Sequence, residues 1–420
     1  MKNKLSISAL CVLGQFSMAQ LSANGTLAIQ SNKILYDNVT EKIYAAVPST
    51  NGSTGNSLAV INPKTISVEK TIFAGSEPSV LAISDNSQYI YVGFRGSNSI
   101  RKFDVASQTF GTPFTTGTSV SYGPLYPGDI KVMPGNPNTI AVSRKQFNTS
   151  ATFKGVAIYD NGVMRPTTSF NPESFTYDSA DVIEFETPEY LIGLTTGSSD
   201  AKIRRIKVTS AGATDMNQNV SVSFSYPNNF KLSGVNVILD NGQVFDYKNG
   251  FLLGSYSGVK GQFSIDPVSR LITYAAGDYY NSSSTAIKRF NMDTFLPVDT
   301  FPLSINEPIL SVVNCGTGCI AYNTLSKIYF LKDEFLAVND LKNNQKFVVS
   351  PNPVGDVMTI VTDKNIVIKS VKIYDTTGKL ILDTYVSDNK VKTTGLGKGT
   401  YYVTASDNYG RIHNSKIIKN

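Results

Sequence analysis

The stretch Ile83-Ser84-Asp85-Asn86-Ser87-Gln88-Tyr89-Ile90-Tyr91-Val92-Gly93-Phe94-Arg95-Gly96-Ser97-Asn98-Ser99-Ile100-Arg101-Lys102-Phe103-Asp104 sets the reading of the whole chain. An apolar strand ends at Ile83. Asp85-Asn86 is hairpin-turn chemistry, because short polar side chains bond their own backbone and tolerate left-handed dihedrals. Tyr89–Val92 is rich in the aromatic and β-branched residues that fit a pleated sheet. A second turn leads into Ser99–Asp104, in which an aliphatic residue, two variable residues, an aromatic and a polar residue follow one another.

That last signature recurs. Clear copies are Ser57–Asn62, Gly155–Asp160 and Ala286–Asn291, with looser ones starting at Ile203, Val244 and Ile328. The leading residues fall at 58, 100, 156, 203, 244, 287 and 328, a mean step of 45. A period of about 40–50 residues built from short strands marks a β-propeller. Further strands precede the signatures, as at Glu41–Val47, Thr139–Ser143, Tyr190–Leu194, Leu271–Ala275 and Cys319–Tyr322. Seven copies fill residues 20–340 once, so the expected class is all-β: a seven-bladed β-propeller. The last repeat is short of a strand, and Gly25–Gln30 is the expected donor that closes the ring and removes open edges.

Composition agrees. The 420 residues include 22 Tyr, 22 Phe, 32 Gly and 18 Pro but no Trp, and hydrophobic residues make up 41%. This excludes disorder and suits many short strands joined by turns. The one histidine, His413, excludes most Ser-His-Asp and Cys-His systems and any His-rich zinc site. No Walker, Rossmann or EF-hand pattern occurs, so no cofactor and no metal are expected. The net charge of +6 belongs to the ends. Residues 20–340 hold 24 basic and 26 acidic groups, and residues 341–420 hold 12 and 6. No footprint for nucleic acid follows. Arg204-Arg205 is expected on a solvated face.

Residues 1–19 read as a secretory signal peptide. Lys2 and Lys4 precede a short apolar run, and Ser17-Met18-Ala19 puts small residues at −3 and −1, so cleavage is expected between Ala19 and Gln20. The run is too short for a membrane helix. Leu10 before Cys11 argues against a lipoprotein.

Residues 341–346 read as a linker and residues 347–420 as a small antiparallel β-sandwich with period-2 alternation. Its landmarks are Pro351-Asn352-Pro353, a hairpin from Tyr374-Asp375 to Gly378-Lys379, Gly399-Thr400-Tyr401-Tyr402-Val403 and a basic end. In order and spacing it resembles the type A C-terminal sorting domain of the type IX secretion system of Bacteroidota. The resemblance implies recognition by that machinery and export across both membranes. It also implies removal of the tail, with release or attachment to surface lipopolysaccharide. Within the repeats, Ile83–Asp104 is similar to the YVTN-type propellers. Asp178-Ser179-Ala180 resembles the O-glycosylation acceptor motif of Bacteroidota.

Candidate chemistry is sparse. Cys315 and Cys319 flank Gly316-Thr317-Gly318. They suit a disulfide across a tight hairpin or two reduced thiols in one blade. Glu184 and Glu186 share one side of a strand, which reads as a solvated acidic edge rather than a glycosidase pair facing across a cleft. Loop aromatics Tyr122, Tyr126, Tyr279 and Tyr280 are the candidate ligand platform, for a glycan, peptide or protein. The leading expectation is a binding or scaffold module at the cell surface or outside. The alternative is a polysaccharide-active hydrolase or lyase using carboxylate or tyrosine chemistry.

Overall fold

The computed structural model describes residues 21–149, 152–174, 176, 179–196, 201–222, 226–277, 284–333, 348–362, 366–375, 379–386, 388–408 and 412–419. The chain separates into two compact units, Met1–Val338 and Asn339–Asn420.

In the first unit, the described residues form seven antiparallel sheets in chain order and a small ribbon, Thr118–Ser119 with Gly123–Pro124. The sheets open with Lys33–Asp37, Pro78–Ile83, Tyr126–Met133, Val182–Thr187, Phe230–Ser233, Phe263–Asp266 and Ser311–Asn314. They are numbered 1 to 7 below. Opening strands touch one another in succession from sheet 1 to sheet 5 and from sheet 6 to sheet 7, and that of sheet 7 touches that of sheet 1. Each gap between neighbouring sheets holds its own apolar cluster. Ile43, Ala59 and Phe330 lie between sheets 7 and 1, and Ile238, Phe263 and Tyr274 between sheets 5 and 6. The circle is a β-propeller.

Burial follows from this packing. In sheet 1 the second strand, Lys42–Val47, is sandwiched by sheets on both sides, so five consecutive residues are buried. Its outermost strand, Ser67–Phe73, is mostly exposed and carries Glu69 and Lys70. In three of the repeats the terminal polar residue caps the turn that follows. Asn62 Oδ1 accepts the Lys64 amide at 3.0 Å, Asp104 Oδ1 the Ser107 amide at 2.8 Å and Asn291 Oδ1 the Thr294 amide at 2.9 Å. The residue four positions further on turns left-handed: Ile66 at φ 51°, Gln108 at 53° and Phe295 at 60°. The cap offsets the local cost of that conformation.

The closing strand is Leu21–Leu27, not Gly25–Gln30. It pairs antiparallel with Ile328–Asp333 from Leu21↔Asp333 to Leu27↔Ile328, with a bulge between Ala23 and Gly25. Only the earlier register buries Leu21, among Ile287, Ile320 and Leu331. Beside it, Arg289 of sheet 6 reaches Asp333 of sheet 7 at 2.5 Å and bonds both carboxylate oxygens of Asp299.

The second unit is a two-sheet sandwich. Val348–Ser350, Val357–Val361 and Lys390–Lys392 face a four-stranded sheet ordered Leu380–Tyr385, Ile368–Tyr374, Gly399–Asp407, Ile412–Lys419. Both sheets contribute to one core, with Met358 and Ile360 on one side and Val371, Val403 and Ile417 on the other. Among the described residues no helix is long and apolar enough to cross a membrane.

Candidate functional site

The loop end that carries Tyr122 and Tyr126 is built by side chains. Glu173 accepts the Ser119 hydroxyl at 2.9 Å and the Val120 and Ser121 amides at 2.8 and 2.9 Å, which fastens the ribbon. These bonds, that from Ser121 foremost, hold the Glu173 carboxyl down at about 2. Tyr122 is half-buried, with the Lys154 ammonium 3.4 Å from its ring centre and its carbonyl accepting Gln146 Nε2 at 2.6 Å. Tyr126 packs at a tilt against Phe147, ring centres 5.3 Å apart, and the Arg95 guanidinium lies over Phe147 at 5.2 Å. One ring thus caps a buried lysine and the other is half covered. Tyr279, Tyr280, Ala19, Gln20 and Gly378 lie outside the described residues.

Chemistry gathers instead between sheets 4 and 5. A cleft of about 500 Å³ is lined by Ile192, Ile203, Arg204, Arg205, Gln218, Asn219, Val220, Tyr247 and Lys248. Arg205 bonds Glu186 at 3.0 Å and lies 3.8 Å over the Tyr190 ring, while Lys248 sits 3.8 Å from the same carboxylate. Arg205 and Lys248 thus converge on Glu186, and Lys248 also interacts with Asp246. Burial, reinforced by Glu186, raises the Tyr247 hydroxyl well above its ordinary range. Arg204 pairs with Asp215 at 2.6 Å and also lines a cavity of about 190 Å³ between sheets 3 and 4.

Two expectations change here. Arg204-Arg205 is not a solvated face: Arg204 is 5% exposed, because neighbouring sheets cover both sides of this third strand. Glu184 and Glu186 are no acidic edge either. Glu184 bonds Lys131 of sheet 3 at 2.7 Å and Glu186 bonds Arg205 of its own sheet, so each is compensated by a cation on another strand. Ser179 is buried and donates its hydroxyl to Asp181, so the folded chain does not present it for glycosylation.

Cys315 and Cys319 form a disulfide across the first hairpin of sheet 7, with Cα atoms 4.9 Å apart and Gly316 at φ 103° between them. Sequence reasoning missed Lys33, Asp129, Lys131 and Lys231, which lie on opening strands at the middle of the ring. No local sequence signal marks them, since the half-burial of these charges appears only once the strands pack.

In the tail, Asn352 explains the Pro-Asn-Pro landmark. Its Oδ1 accepts the Ile418 amide at 2.9 Å and its Nδ2 donates to the Lys416 carbonyl at 3.1 Å, tying the start of the domain to its last strand. The peptide bonds before Pro351 and Pro353 are both cis. Tyr401 donates to the Gly397 carbonyl at 3.0 Å, and Gly399 opens the strand that pairs with Ile412–Lys419.

Comparison with known proteins separates the two units. No curated protein matches the chain. Among solved structures, hydrazine synthase of Kuenenia stuttgartiensis is similar, with a TM-score of 0.56 and 13% identity over 73% of this chain and 96% of that one. The β-propeller domain of Cps50 (Swd1) from Myceliophteria thermophila is similar at a TM-score of 0.56 and 11% identity, over 73% and 98%. At such identity the likeness shows the fold alone. Residues 348–420 match the family model described as the secretion system C-terminal sorting domain, and this type IX signal marks the chain for export to the cell surface or outside.

Proposed function

We propose that the chain is an exported, seven-bladed propeller of the YVTN type that acts as a binding or scaffold module. Its signal peptide is cut before Gln20. Its tail is removed after passage through the outer membrane, and the propeller is released or attached to surface lipopolysaccharide. The ligand is an acidic glycan held between sheets 4 and 5. The observation that carries this reading is the cleft wall: Arg205 and Lys248 share one carboxylate, beside the amides of Gln218 and Asn219 and the edge of Tyr247. Cations take a uronate or sulfate, and amides take sugar hydroxyls. Catalysis by Glu184 and Glu186 is the weaker reading, because both carboxylates are already ion-paired.

The test is a glycan and peptide array probed with residues 20–420, with a polysaccharide panel assayed in parallel for new reducing ends or unsaturated products. Capture of acidic glycans without product formation supports the reading. Product formation by the pure wild-type protein replaces it with the hydrolase or lyase.

A further inference from the structure

The opening strands bring five charged side chains together at the centre of the ring. Lys33 begins sheet 1, Asp129 and Lys131 lie on the opening strand of sheet 3, Glu184 on that of sheet 4 and Lys231 on that of sheet 5. Lys131 Nζ sits 2.7 Å from Glu184 Oε1 and 3.9 Å from Asp129 Oδ2. Asp129 Oδ2 also accepts the Ile183 amide at 3.0 Å. Both carboxylates are therefore engaged by Lys131.

Lys33 and Lys231 are left over. Among the described residues neither ammonium group has an ion-pair or hydrogen-bond partner, although that of Lys231 lies 6.0 Å from the Phe263 ring centre. Both interact electrostatically with Lys131, Asp129 and Glu184, and Lys33 also with Lys231, so the five groups form one cluster. Three ammonium groups stand against two carboxylates. A cation without a counterion, walled by protein, is costly, and an anion that pairs with it removes the cost. Burial, then the repulsion of Lys231 and Lys131, brings the Lys33 ammonium down to about 8, and burial lowers Lys231 too. Water still reaches the cluster: the Lys131 and Glu184 side chains are 27% and 24% exposed.

We propose that the centre of the ring binds a small oxyanion, a carboxylate, phosphate or sulfate group, through the ammonium groups of Lys33 and Lys231. The proposal stands on these five residues and is independent of what the cleft between sheets 4 and 5 binds. Free inorganic ions and the acidic group of a larger molecule share this chemistry, and the titrations below separate them.

The experiment titrates the protein from residue 20 to 420 with inorganic phosphate, sulfate, acetate and malonate, read by calorimetry and by NMR of 13C-methylated lysines. Saturable binding of one anion per chain, with two lysine signals moving together, is the expected result. Lys33→Gln and Lys231→Gln should each weaken it by roughly tenfold, the scale of one charge-assisted contact. The double variant should abolish it, whereas Lys207→Gln, an exposed lysine, should change nothing. Lys33→Arg keeps the charge and should keep the binding, which separates a lost contact from a lost fold. Preference for phosphate or sulfate points to a free ion, and preference for malonate to a carboxylate-bearing ligand. Affinity should fall as pH rises through 8 and Lys33 loses its proton, while Lys131, held charged by Asp129 and Glu184, does not follow. Absence of saturable binding by all four anions, or equal binding by the double variant, overturns the proposal.

Discussion

Arg289→Met should destabilise the ring more than any exposed substitution, and the structure sets the size of the effect. Arg289 is 3% exposed, Asp333 1% and Asp299 9%. The guanidinium bonds Asp299 through Nε at 2.8 Å and Asp333 through Nη1 at 2.5 Å. Methionine fills a similar volume but takes the guanidinium away from two buried carboxylates. Breaking a buried pair in this way costs roughly 3–5 kcal/mol, a large part of an ordinary stability of about 5–15 kcal/mol. For a domain of this size the melting transition should drop by on the order of 5–10 °C. The damage should be local first, because Asp333 pairs with Leu21 of the closing strand. Calorimetric melting at pH 7 checks the magnitude, and amide hydrogen exchange over Leu21–Leu27 checks the place. Replacing all three residues by apolar ones should recover most of the loss, since a buried ion cluster and a packed apolar core are often close in stability. A drop below about 2 °C, or unchanged exchange in the closing strand, would refute the reasoning, because an effect that small is the scale of a surface pair.

Other consequences are direct. Asn352→Ala removes two hydrogen bonds to the last tail strand, roughly 1–2 kcal/mol; far-ultraviolet melting of the isolated tail and the exported fraction in culture should both fall. Lys248→Ala with Gln218→Ala should weaken glycan capture without moving the melting transition, as Lys248 is 53% exposed. Glu173 has a depressed carboxyl, so its hold on the ribbon is complete above the ordinary value of 4.5 and is lost as pH falls towards about 2. Proteolysis near residues 118–124 should therefore be slower in the wild type than in Glu173→Gln at pH 6, and the difference should vanish near pH 2.

How much of this was legible in sequence depended on whether the signal was local. The repeat around Ser99–Asp104 marked the third strand of each sheet, and its terminal Asp or Asn was visible as a conspicuous polar residue before its role as a turn cap was known. The closing strand was foreseen but placed four residues late. Ile29 is buried beyond its end, and the Gly25 bulge breaks the alternation that would have fixed the register. Arg204 and Glu184 were misread as solvated because alternation along one strand says nothing about the sheet stacked on either side. The central cluster was invisible for the same reason: residues 33, 129, 131, 184 and 231 meet only once four sheets take their places in the ring. The tail carried its own landmarks within about 75 residues, a span within one small domain, and these could be read directly.

The central claim is that residues 347–420 send a folded propeller outward. Its most direct test is the location of a chain ending at residue 346, expressed in a host with type IX secretion and followed by fractionation and limited proteolysis. The account predicts a protease-resistant propeller held in the periplasm, while the full chain appears at the surface or in the medium. Normal amounts of the shortened chain outside the cell would contradict it.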